Sequence, residues 1–431
     1  MKSTRVREER AVLVGLSRDS RRRAEQRESL RELEELTRSA GGRVLEVILQ
    51  EREGPDPATF IGKGKVEQIR SLCRELEADL VVFDEELSPV QQRNLESALE
   101  RKVVDRSELI LDIFAQRARS REGKLQVELA QLEYRIPRLT GKGGELSRLG
   151  GGIGTRGPGE TKLEADRRTI RDRVSRIRED LRRLEQRRGL HRRKRQAALL
   201  NTVSLVGYTN AGKSTLFNRL TSADTYVSSR LFATLDPLVR KVELPSGHEI
   251  LFSDTVGFVR KLPHSLVAAF HATLEETKQA DLILHVIDAS QENLRNLRAA
   301  VYEVLEEIGA EDVPVIEVYN KIDLLEHLPA MGGGFDGIYV SALTGEGVPD
   351  LLSEIEEALG RRYRKFRLLI PFDRGDVTSH LRRTAQILSE EYRPDGVLLE
   401  ASLPSREWKR FRRYLIEPII EGPSSATGRD V

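Results

Sequence analysis

The sequence predicts an α/β protein whose main sheet is doubly wound and mostly parallel. Short apolar runs alternate with helical patterns over residues 1–106 and again over residues 198–361. In the second stretch, polar or glycine-containing motifs directly follow several of these runs, which is where open α/β sheets bind ligands. Residues 107–197 differ, because their apolar residues recur at helical spacing only. The chain is therefore expected to contain several domains.

The composition fits a cytoplasmic protein with substantial hydrophobic cores. The chain has 431 residues, of which 39% are hydrophobic and 32% charged, and its net charge is +2. Cys73 is the single cysteine, so an intrachain disulfide is excluded. Residues 1–10 lack the apolar segment of a signal peptide. The longest apolar runs, such as Leu282–Ile287, are too short to span a bilayer.

Residues 1–106 are predicted to form an N-terminal α/β domain. Ala11–Leu16, Val44–Leu49 and Leu80–Asp84 are apolar runs of strand length, separated by helical patterns. The segment Gly62-Lys63-Gly64-Lys65 is not a complete phosphate-binding loop. We interpret it as a turn or as a basic loop that faces RNA, although this domain could in principle hold another nucleotide.

Residues 107–197 are predicted to form an antiparallel helical hairpin with a glycine-rich loop, residues 141–159, at its tip. Roughly 30 residues per arm, at ~1.5 Å each, would give a projection of about 45 Å. Two narrow apolar seams are expected to pair the arms. The first seam contains Leu125, Leu129, Leu132 and Ile136, and the second contains Ile170, Val174, Ile177, Leu181 and Leu184.

The second arm of this hairpin is strongly basic. Thr161–Arg195 contains 15 Lys or Arg against six Asp or Glu, and the tip adds Lys142, Arg148 and Arg156. Such a charge run is often only a solvated helix face. The functional interpretation is contact with a polyanion, because arginine binds phosphate bidentately and releases counterions. Aromatic residues make up only 5%, which favours a structured RNA over stacked single strands.

Residues 198–361 are predicted to form a P-loop G domain. The apolar run Val203–Val206 precedes a phosphate-binding loop and a helix. The loop consists of Gly207, Tyr208, Thr209, Asn210, Ala211, Gly212, Lys213 and Ser214. Its glycines let backbone N–H groups surround the β-phosphate, and the helix N-terminus adds a positive dipole end. Lys213 is expected to neutralise the β- and γ-phosphates, and the Ser214 hydroxyl to bind Mg²⁺.

Three further motifs follow in the order that a GTP site requires, each at a strand end. They are Asp254-Thr255-Val256-Gly257, Asn320-Lys321-Ile322-Asp323 and Ser341-Ala342-Leu343. Asp254 is expected to hold Mg²⁺ through water, and the Gly257 N–H to meet the γ-phosphate. The Asp323 carboxylate can accept from the guanine N1–H and N2–H₂ groups, a pair that adenine lacks. Asn320 is expected to support the loop, and the Lys321 stem to cover the base. The second motif therefore selects GTP over ATP.

The segment Ser222–Arg240 is predicted to be the first switch. It contains the motif Phe232-Ala233-Thr234-Leu235-Asp236. Thr234 is the expected second Mg²⁺ ligand beside Ser214, and it would bind only while the γ-phosphate is present. Thr225 is the competing candidate.

Phe258 occupies the position where many GTPases place a glutamine that orients the attacking water. Phenylalanine cannot polarise water, so Phe258 either only packs against the switch or marks slow chemistry that an external group completes. A large partner is one source of that group. K⁺ is another, since the Asn210 carbonyl can bind it beside the phosphates. We expect Lys213, Thr234, Gly257 and Asn210 to act in the reaction.

These motifs together resemble the HflX family of ribosome-associated GTPases. The resemblance covers about the first 360 residues, and residues 362–431 are predicted as a small α/β or α+β domain with a disordered tail. The matching motifs are Phe60–Lys65, Gly151–Glu160, Gly207–Ser214, Phe232–Asp236, Asp254–Phe258, Asn320–Asp323 and Ser341–Leu343. The resemblance implies binding to the large ribosomal subunit or whole ribosome in the GTP form. It also implies a hairpin loop that enters the peptidyl-transferase region and a role in splitting or rescuing ribosomes.

Two alternatives remain open on the residues alone. The chain could be a regulatory switch whose hairpin docks a protein instead of ribosomal RNA, or an RNA remodeller that uses both ATP and GTP. RNA binding should weaken steeply with salt, whereas an apolar protein interface should not. No DNA or membrane partner is expected, and the protein is expected to bind as a monomer.

Overall fold

The structure, a computed structural model, describes most of the chain. It covers residues 8–19, 23–139, 162–197, 200–221, 232, 238–245, 247, 249–255, 257–261, 276–291, 293–327, 336–360, 363–404 and 411–419. Three sheets and a pair of long helices are found in these ranges. No helix in the described part of the chain is long and apolar enough to cross a membrane. The predicted α/β class is confirmed.

The first sheet is parallel, with strand order β2-β1-β3-β4. Its elements, together called the N-terminal module, are β1 (Arg10–Ser17), α1 (Arg23–Ala40), β2 (Arg43–Glu51), α2 (Lys63–Glu75), β3 (Leu80–Phe83), α3 (Pro89–Leu99), β4 (Lys102–Asp105) and α4 (Arg106–Arg117). Helices α1 and α4 cover one face, and α2 and α3 the other. Both faces are covered, so β1 and β3 are buried along nearly their whole length.

The N-terminal module extends past the predicted boundary at residue 106. Ile110, Ile113 and Phe114 of α4 are fully buried in the same cluster as Leu33 and Leu36 of α1. Helix α4 is therefore part of the first core and not of the hairpin, because its apolar face is already used against the sheet.

The hairpin helices α5 (Arg121–Arg138) and α6 (Lys162–Ala197) are unequal, with 18 and 36 residues, instead of about 30 each. Pro137 lies inside α5, one residue before its end. All predicted seam residues except Leu184 lie in one cluster between the two helices. Arg138 donates to the Leu87 carbonyl at 2.7 Å, so α5 is also anchored to the N-terminal module. The predicted tip, with Lys142, Arg148 and Arg156, lies outside the described residues.

The second sheet has six strands in the order β10-β9-β8-β5-β7-β6. Its elements, the central module, are β5 (Thr202–Gly207), α7 (Lys213–Thr221), β6 (Leu238–Glu243), β7 (Glu249–Asp254), β8 (Leu282–Asp288), α8 (Leu294–Glu307), β9 (Val315–Asn320), a 3₁₀ turn (Ile322–Leu324), β10 (Ile338–Val340) and α9 (Val348–Gly360). Only β6 runs antiparallel to its neighbour. The carboxyl ends of β5, β7, β8, β9 and β10 therefore meet at one edge.

The third sheet is antiparallel, with order β12-β13-β11-β14. Its elements are β11 (Tyr363–Ile370), a 3₁₀ turn (Phe372–Arg374), α10 (Gly375–Thr384), β12 (Gln386–Arg393), β13 (Gly396–Pro404), a second 3₁₀ turn (Arg412–Tyr414) and β14 (Leu415–Ile419). The sequence predicts strands at Arg367–Ile370 and Val397–Leu403, which lie within β11 and β13, and a helix near Val377–Tyr392, which is wrong beyond Thr384. Residues 386–393 pair with β13 as a strand, and this pairing separates them from helix α10.

Candidate nucleotide-binding site

The phosphate-binding loop connects β5 to α7 at the shared edge of the central sheet. Asn210 and Gly212 have positive φ, +64° and +90°, so the chain turns sharply around the start of the helix. Asparagine is one of the few residues that tolerates this region, and a Cβ at Gly212 would collide with the Asn320 amide. The turn brings α7, which begins at Lys213, directly behind the loop.

The Lys213 side chain is buried at the centre of this loop. Its ammonium donates to the Gly207 carbonyl at 3.0 Å and to the Tyr208 carbonyl at 2.7 Å. Burial lowers the pKa of Lys213 to about 8, and the nearby Asp254 carboxylate opposes that shift. The loop thus holds a cation whose charge is poorly solvated, which suits it to bind an anion.

The end of β7 brings Asp254 to the first turn of α7. The Ser214 hydroxyl donates to Asp254 Oδ2 at 2.9 Å, and Asp254 is buried. A hydroxyl and a carboxylate are hard oxygen donors of the kind that Mg²⁺ prefers, so this pair fits the predicted metal. Thr234 lies outside the described residues, as do Ala233, Leu235, Asp236 and Val256.

The motifs Asn320–Asp323 and Ser341–Leu343 are joined to the phosphate-binding loop by hydrogen bonds. The Asn320 amide donates to the Ala211 carbonyl and accepts from the Ala342 N–H, both at 2.9 Å. The Ser341 hydroxyl donates to Asp323 Oδ1 at 2.6 Å, which orients that carboxylate. The Asn320 amide therefore joins the two loops through protein partners.

The Lys321 side chain is held by an ion pair. Its ammonium donates to Asp288 Oδ2 at 2.7 Å, where β8 ends. Burial would raise the pKa of Asp288, but hydrogen bonds from Lys321 and Ser290 outweigh it and keep that pKa below its ordinary value. The ion pair fixes the stem of Lys321 beside the loop, in the position expected to cover a base.

The Asp-x-x-Gly motif packs directly against the phosphate-binding loop. A Cβ added at Gly257 would lie 2.8 Å from Thr209 Cγ2 and 2.9 Å from Lys213 Nζ, so a larger residue would require these side chains to shift. The Thr209 N–H donates to the Phe258 carbonyl at 2.8 Å, and the Phe258 N–H donates to the Gly207 carbonyl at 3.1 Å. This backbone pairing brings residues 257–261, here called the second switch, into contact with the loop.

The Phe258 ring is 3% exposed and lies in a core shared with the N-terminal module. Phe232, at the start of the predicted Mg²⁺ motif, is equally buried, and its ring meets that of Phe114 edge-on at 4.5 Å. Phe232, from the predicted first switch, therefore packs against α4, and Phe258 lies in the same core. The alternative in which Phe258 is a packing residue agrees with this position.

Several residues that contact the loop and the second switch were not predicted from sequence. The Tyr208 hydroxyl donates to Glu32 Oε2 at 2.6 Å, Arg260 pairs with Glu28 at 3.0 Å, and Lys261 pairs with Asp84 at 2.7 Å. These partners are 176 or more residues apart in sequence. No local pattern marks them, because a glutamate on an amphipathic helix resembles an ordinary solvated residue.

Three family models match the chain in order. A model described as "GTP-binding GTPase N-terminal" matches residues 27–115, and one described as "GTP-binding GTPase Middle Region" matches residues 117–195. A model described as "50S ribosome-binding GTPase" matches residues 202–321. Together they cover the N-terminal module, the hairpin helices and most of the central module.

Similar proteins extend over almost the whole chain. A protein named GTPase HflX from Caldanaerobacter subterraneus subsp. tengcongensis is 49% identical, over 95% of this chain and 94% of its own. GTPase HflX of Escherichia coli K12 is 47% identical, over 89% and 92%. A solved GTP-binding protein from Sulfolobus solfataricus in complex with GDP is 25% identical, with a TM-score of 0.43, over 82% of this chain and 99% of that one.

Proposed function

This chain belongs to the HflX family of GTPases, and from that premise we propose that it binds the large ribosomal subunit, or the whole ribosome, in its GTP form. Membership makes the chain a GTP hydrolase of the P-loop class. In the proposal, helices α5 and α6 and the loop between them contact ribosomal RNA, and hydrolysis drives release. The action on ribosomes is splitting, rescue or biogenesis.

The nucleotide-site residues keep the roles inferred from sequence. GTP binds along Gly207–Ser214, with Asp323 and the backbone of Ser341–Leu343 on the guanine. The observation that carries this assignment is the double hydrogen bond of Asn320, which joins the guanine-reading loops to the phosphate-binding loop. Such preorganisation lowers the entropy lost when the ligand binds.

Mg²⁺ is proposed to bind Ser214 and Thr234, with Asp254 acting through water. When bound, this ion offsets the charge that develops on the β- and γ-phosphate oxygens. Lys213 contributes a second positive charge from inside the loop, and the Gly257 N–H can donate to the γ-phosphate once the nucleotide is in place. The chain itself thus binds, orients and neutralises the triphosphate.

The protein alone is proposed to hydrolyse GTP slowly. The ribosome, K⁺, or both would raise this rate. The buried Phe258 ring supports this, since it cannot orient water from inside a core. Asn210 supports the K⁺ part of the proposal, because its backbone is left-handed and it lies in the middle of the loop that is proposed to hold the phosphates. Equal hydrolysis rates in Na⁺ and K⁺, with and without ribosomes, would contradict the proposal.

The hairpin contact with RNA is supported by the charge of α6. Part of that charge is paired across the hairpin, since Arg173 and Arg178 bind Glu128 and Glu133. Thr161–Arg195 nevertheless contains 15 basic and six acidic residues. This basic excess is much larger than the two arginines that these ion pairs neutralise. Protein docking by the hairpin is the alternative, and its weaker salt dependence separates the two.

We also propose the four-part domain division, with the first boundary moved to the end of α4. Residues up to about 117 would then form the N-terminal domain, followed by the hairpin to 197, the G domain over 198–361 and the C-terminal domain over 362–431. We propose in addition that the protein is cytoplasmic and monomeric.

Sucrose-gradient sedimentation with ribosomes tests this function. Association should be strong with a non-hydrolysable GTP analogue and weak with GDP. The variant Arg156→Glu should lose association but keep nucleotide binding, whereas the control Arg374→Glu, in the third sheet's module, should behave as the parent does. Association that ignores the nucleotide would rule out the switch.

A further inference from the structure

Helix α5 packs on two different partners. Val127, Ala130 and Tyr134 are buried in the same cluster as one face of the N-terminal module. Leu129 lies instead in the cluster that α5 shares with α6. Helix α5 is therefore the element that joins the hairpin to the module, and its direction decides where the basic helix α6 points.

The start of α5 is fixed by the chain itself. Helix α4 ends at Arg117 and α5 begins at Arg121, so residues 118–120 connect them. The Ser120 hydroxyl caps α5, since it accepts from the Gly123 N–H at 2.8 Å. Two points define the direction of a rigid helix. The attachment of the last turn of α5 therefore sets the direction of the whole helix.

Arg138, in the last turn of α5, binds three separate parts of the module. Its guanidinium donates to the Gln92 side chain at 3.0 Å, to the Leu87 carbonyl at 2.7 Å and to the Asp105 carboxylate at 3.2 Å. It also lies 3.4 Å above the ring of Tyr134. The Arg138 side chain is 14% exposed, so these contacts are largely shielded from water.

The groups that bind Arg138 are themselves held in place. Asp105 is fully buried and also accepts from the Leu87 N–H at 3.0 Å. The Gln92 side-chain amide donates to the Val103 carbonyl at 2.9 Å. A planar guanidinium that binds several fixed acceptors is held in one orientation. The apolar contacts along α5 tolerate sliding, because hydrophobic burial is non-directional.

Helix α6 is held on α5 by the apolar seam and by ion pairs across it. Arg173 binds both carboxylate oxygens of Glu128, at 2.7 Å each, and Arg178 binds Glu133 at 2.8 Å. Exposed ion pairs such as these add little stability, but their geometry helps to fix the position of α6 along α5. The direction of α5 is thereby passed on to α6.

We infer that Arg138 is a positioning residue for the hairpin, which holds the end of α5 on the N-terminal module and so sets the direction in which α6 meets its partner. The inference rests on the proposed contact between the hairpin and ribosomal RNA. A helix pair held in one direction loses little freedom on binding, whereas a swinging pair must first be ordered. Because Arg138 is largely buried, it acts through α5 and not by touching RNA.

Pulsed electron paramagnetic resonance measures the direction of the hairpin without any partner. Spin labels are attached at Ser97→Cys on α3 and Ser175→Cys on α6, which are exposed positions, whereas the native Cys73 is fully buried. The parent should give one narrow distribution of distances. Arg138→Lys should give a broader one, because a lysine ammonium keeps the pair with Asp105 but lacks the planar fork that binds the other acceptors.

Sucrose-gradient sedimentation with ribosomes and a non-hydrolysable GTP analogue measures the consequence. Association of Arg138→Lys should fall about tenfold, because the hairpin must be ordered on binding, while affinity for the analogue stays constant. The matched control is Arg121→Lys, at the other end of α5, whose side chain is 75% exposed and pairs with Asp180 at 3.9 Å. This control should change neither the distances nor the association.

Gln92→Met provides a second variant, since it removes one of the three attachments and should broaden the distribution less. Unchanged distances in folded Arg138→Lys would overturn the inference, as would broadened distances with unchanged association. A fall in association without any change in distances would contradict it too, because Arg138 would then contact the ribosome itself. If the parent does not bind ribosomes, the proposed function fails, while the distances still show whether Arg138 fixes the hairpin.

Discussion

The two ends of the nucleotide site are built differently. The guanine-reading end is joined by hydrogen bonds of Asn320 and Ser341, all within the central module. The γ-phosphate end is held by ion pairs of Arg260 and Lys261 with carboxylates of the N-terminal module. The contacts proposed to select the base therefore lie within one module, whereas the position of the second switch depends on contact between two.

The two ends also differ in energetics. Each of the two neutral hydrogen bonds of Asn320 contributes about 1 kcal/mol, and losing one leaves the other intact. The ion-pair cluster is centred on Arg106, which is 1% exposed. Burial alone would lower the pKa of Arg106, but Glu32 and Asp84 outweigh it and raise that pKa. A buried cluster of this kind fails together when one partner is removed.

The largest expected effect is at the module contact. Arg106→Met removes the cation that pairs with Glu32 and one of the two cations that pair with the buried Asp84, so the free energy of unfolding should fall by about 3–5 kcal/mol. Denaturant unfolding measures this loss. The control Arg38→Met removes an exposed ion pair with Glu34 and should cost at most about 1 kcal/mol. Equal losses for the two variants would remove the distinction between a buried cluster and a surface pair.

The second largest effect is expected at the end of the site that is proposed to bind guanine. Asp323→Asn replaces a charged acceptor of the guanine N–H groups, so GTP affinity should fall by about 1.5–3 kcal/mol. An asparagine amide can donate to a C2 carbonyl, so a xanthine nucleotide should bind this variant better than it binds the parent. Calorimetry with both nucleotides measures the exchange. Unchanged preference would show that Asp323 does not read the base.

A pH dependence follows from Lys213 at the centre of the loop. Its pKa is lowered to about 8 by burial, and phosphate binding requires the ammonium. GTP affinity should therefore fall about tenfold from pH 7 to pH 9, with proton uptake on binding above pH 8. The nucleotide-free protein should gain stability over the same rise, because its folded-state pKa lies below the unfolded value. Calorimetry in buffers of different ionisation heat would detect the proton taken up on binding. A GTP affinity that does not change with pH would contradict the lowered pKa of Lys213.

The smallest effect compares one tyrosine at each kind of contact. Tyr208 donates to Glu32 across the modules, and Tyr302 donates to Glu317 within the central module. A double-mutant cycle of Tyr208→Phe with Glu32→Gln should give a coupling energy on the order of 1 kcal/mol. That coupling should change when a GTP analogue binds. The cycle of Tyr302→Phe with Glu317→Gln should give a coupling that the nucleotide does not alter.

Sequence reasoning identified the parts of the site that depend on local geometry. The loop from Gly207 to Ser214 was recognisable because its glycines, lysine and serine lie close together in the sequence. The hairpin seam was recognisable because α-helical spacing brings residues such as Leu129 and Val174 onto one face. The predicted length of the first hairpin arm was wrong, because residues 106–117 form the separate helix α4 in the first core and α5 begins only at Arg121.

The sequence by itself determined the fold class, the order of the nucleotide motifs and the family, because each depends on residues that are neighbours in the chain and on their periodicity. Only the tertiary structure decided that Glu28, Glu32, Asp84 and Arg106 meet the second switch. Charged side chains carry no periodic signal that distinguishes a buried partner from a solvated one. Their role depends on desolvation, which arises only when two modules distant in the chain come together.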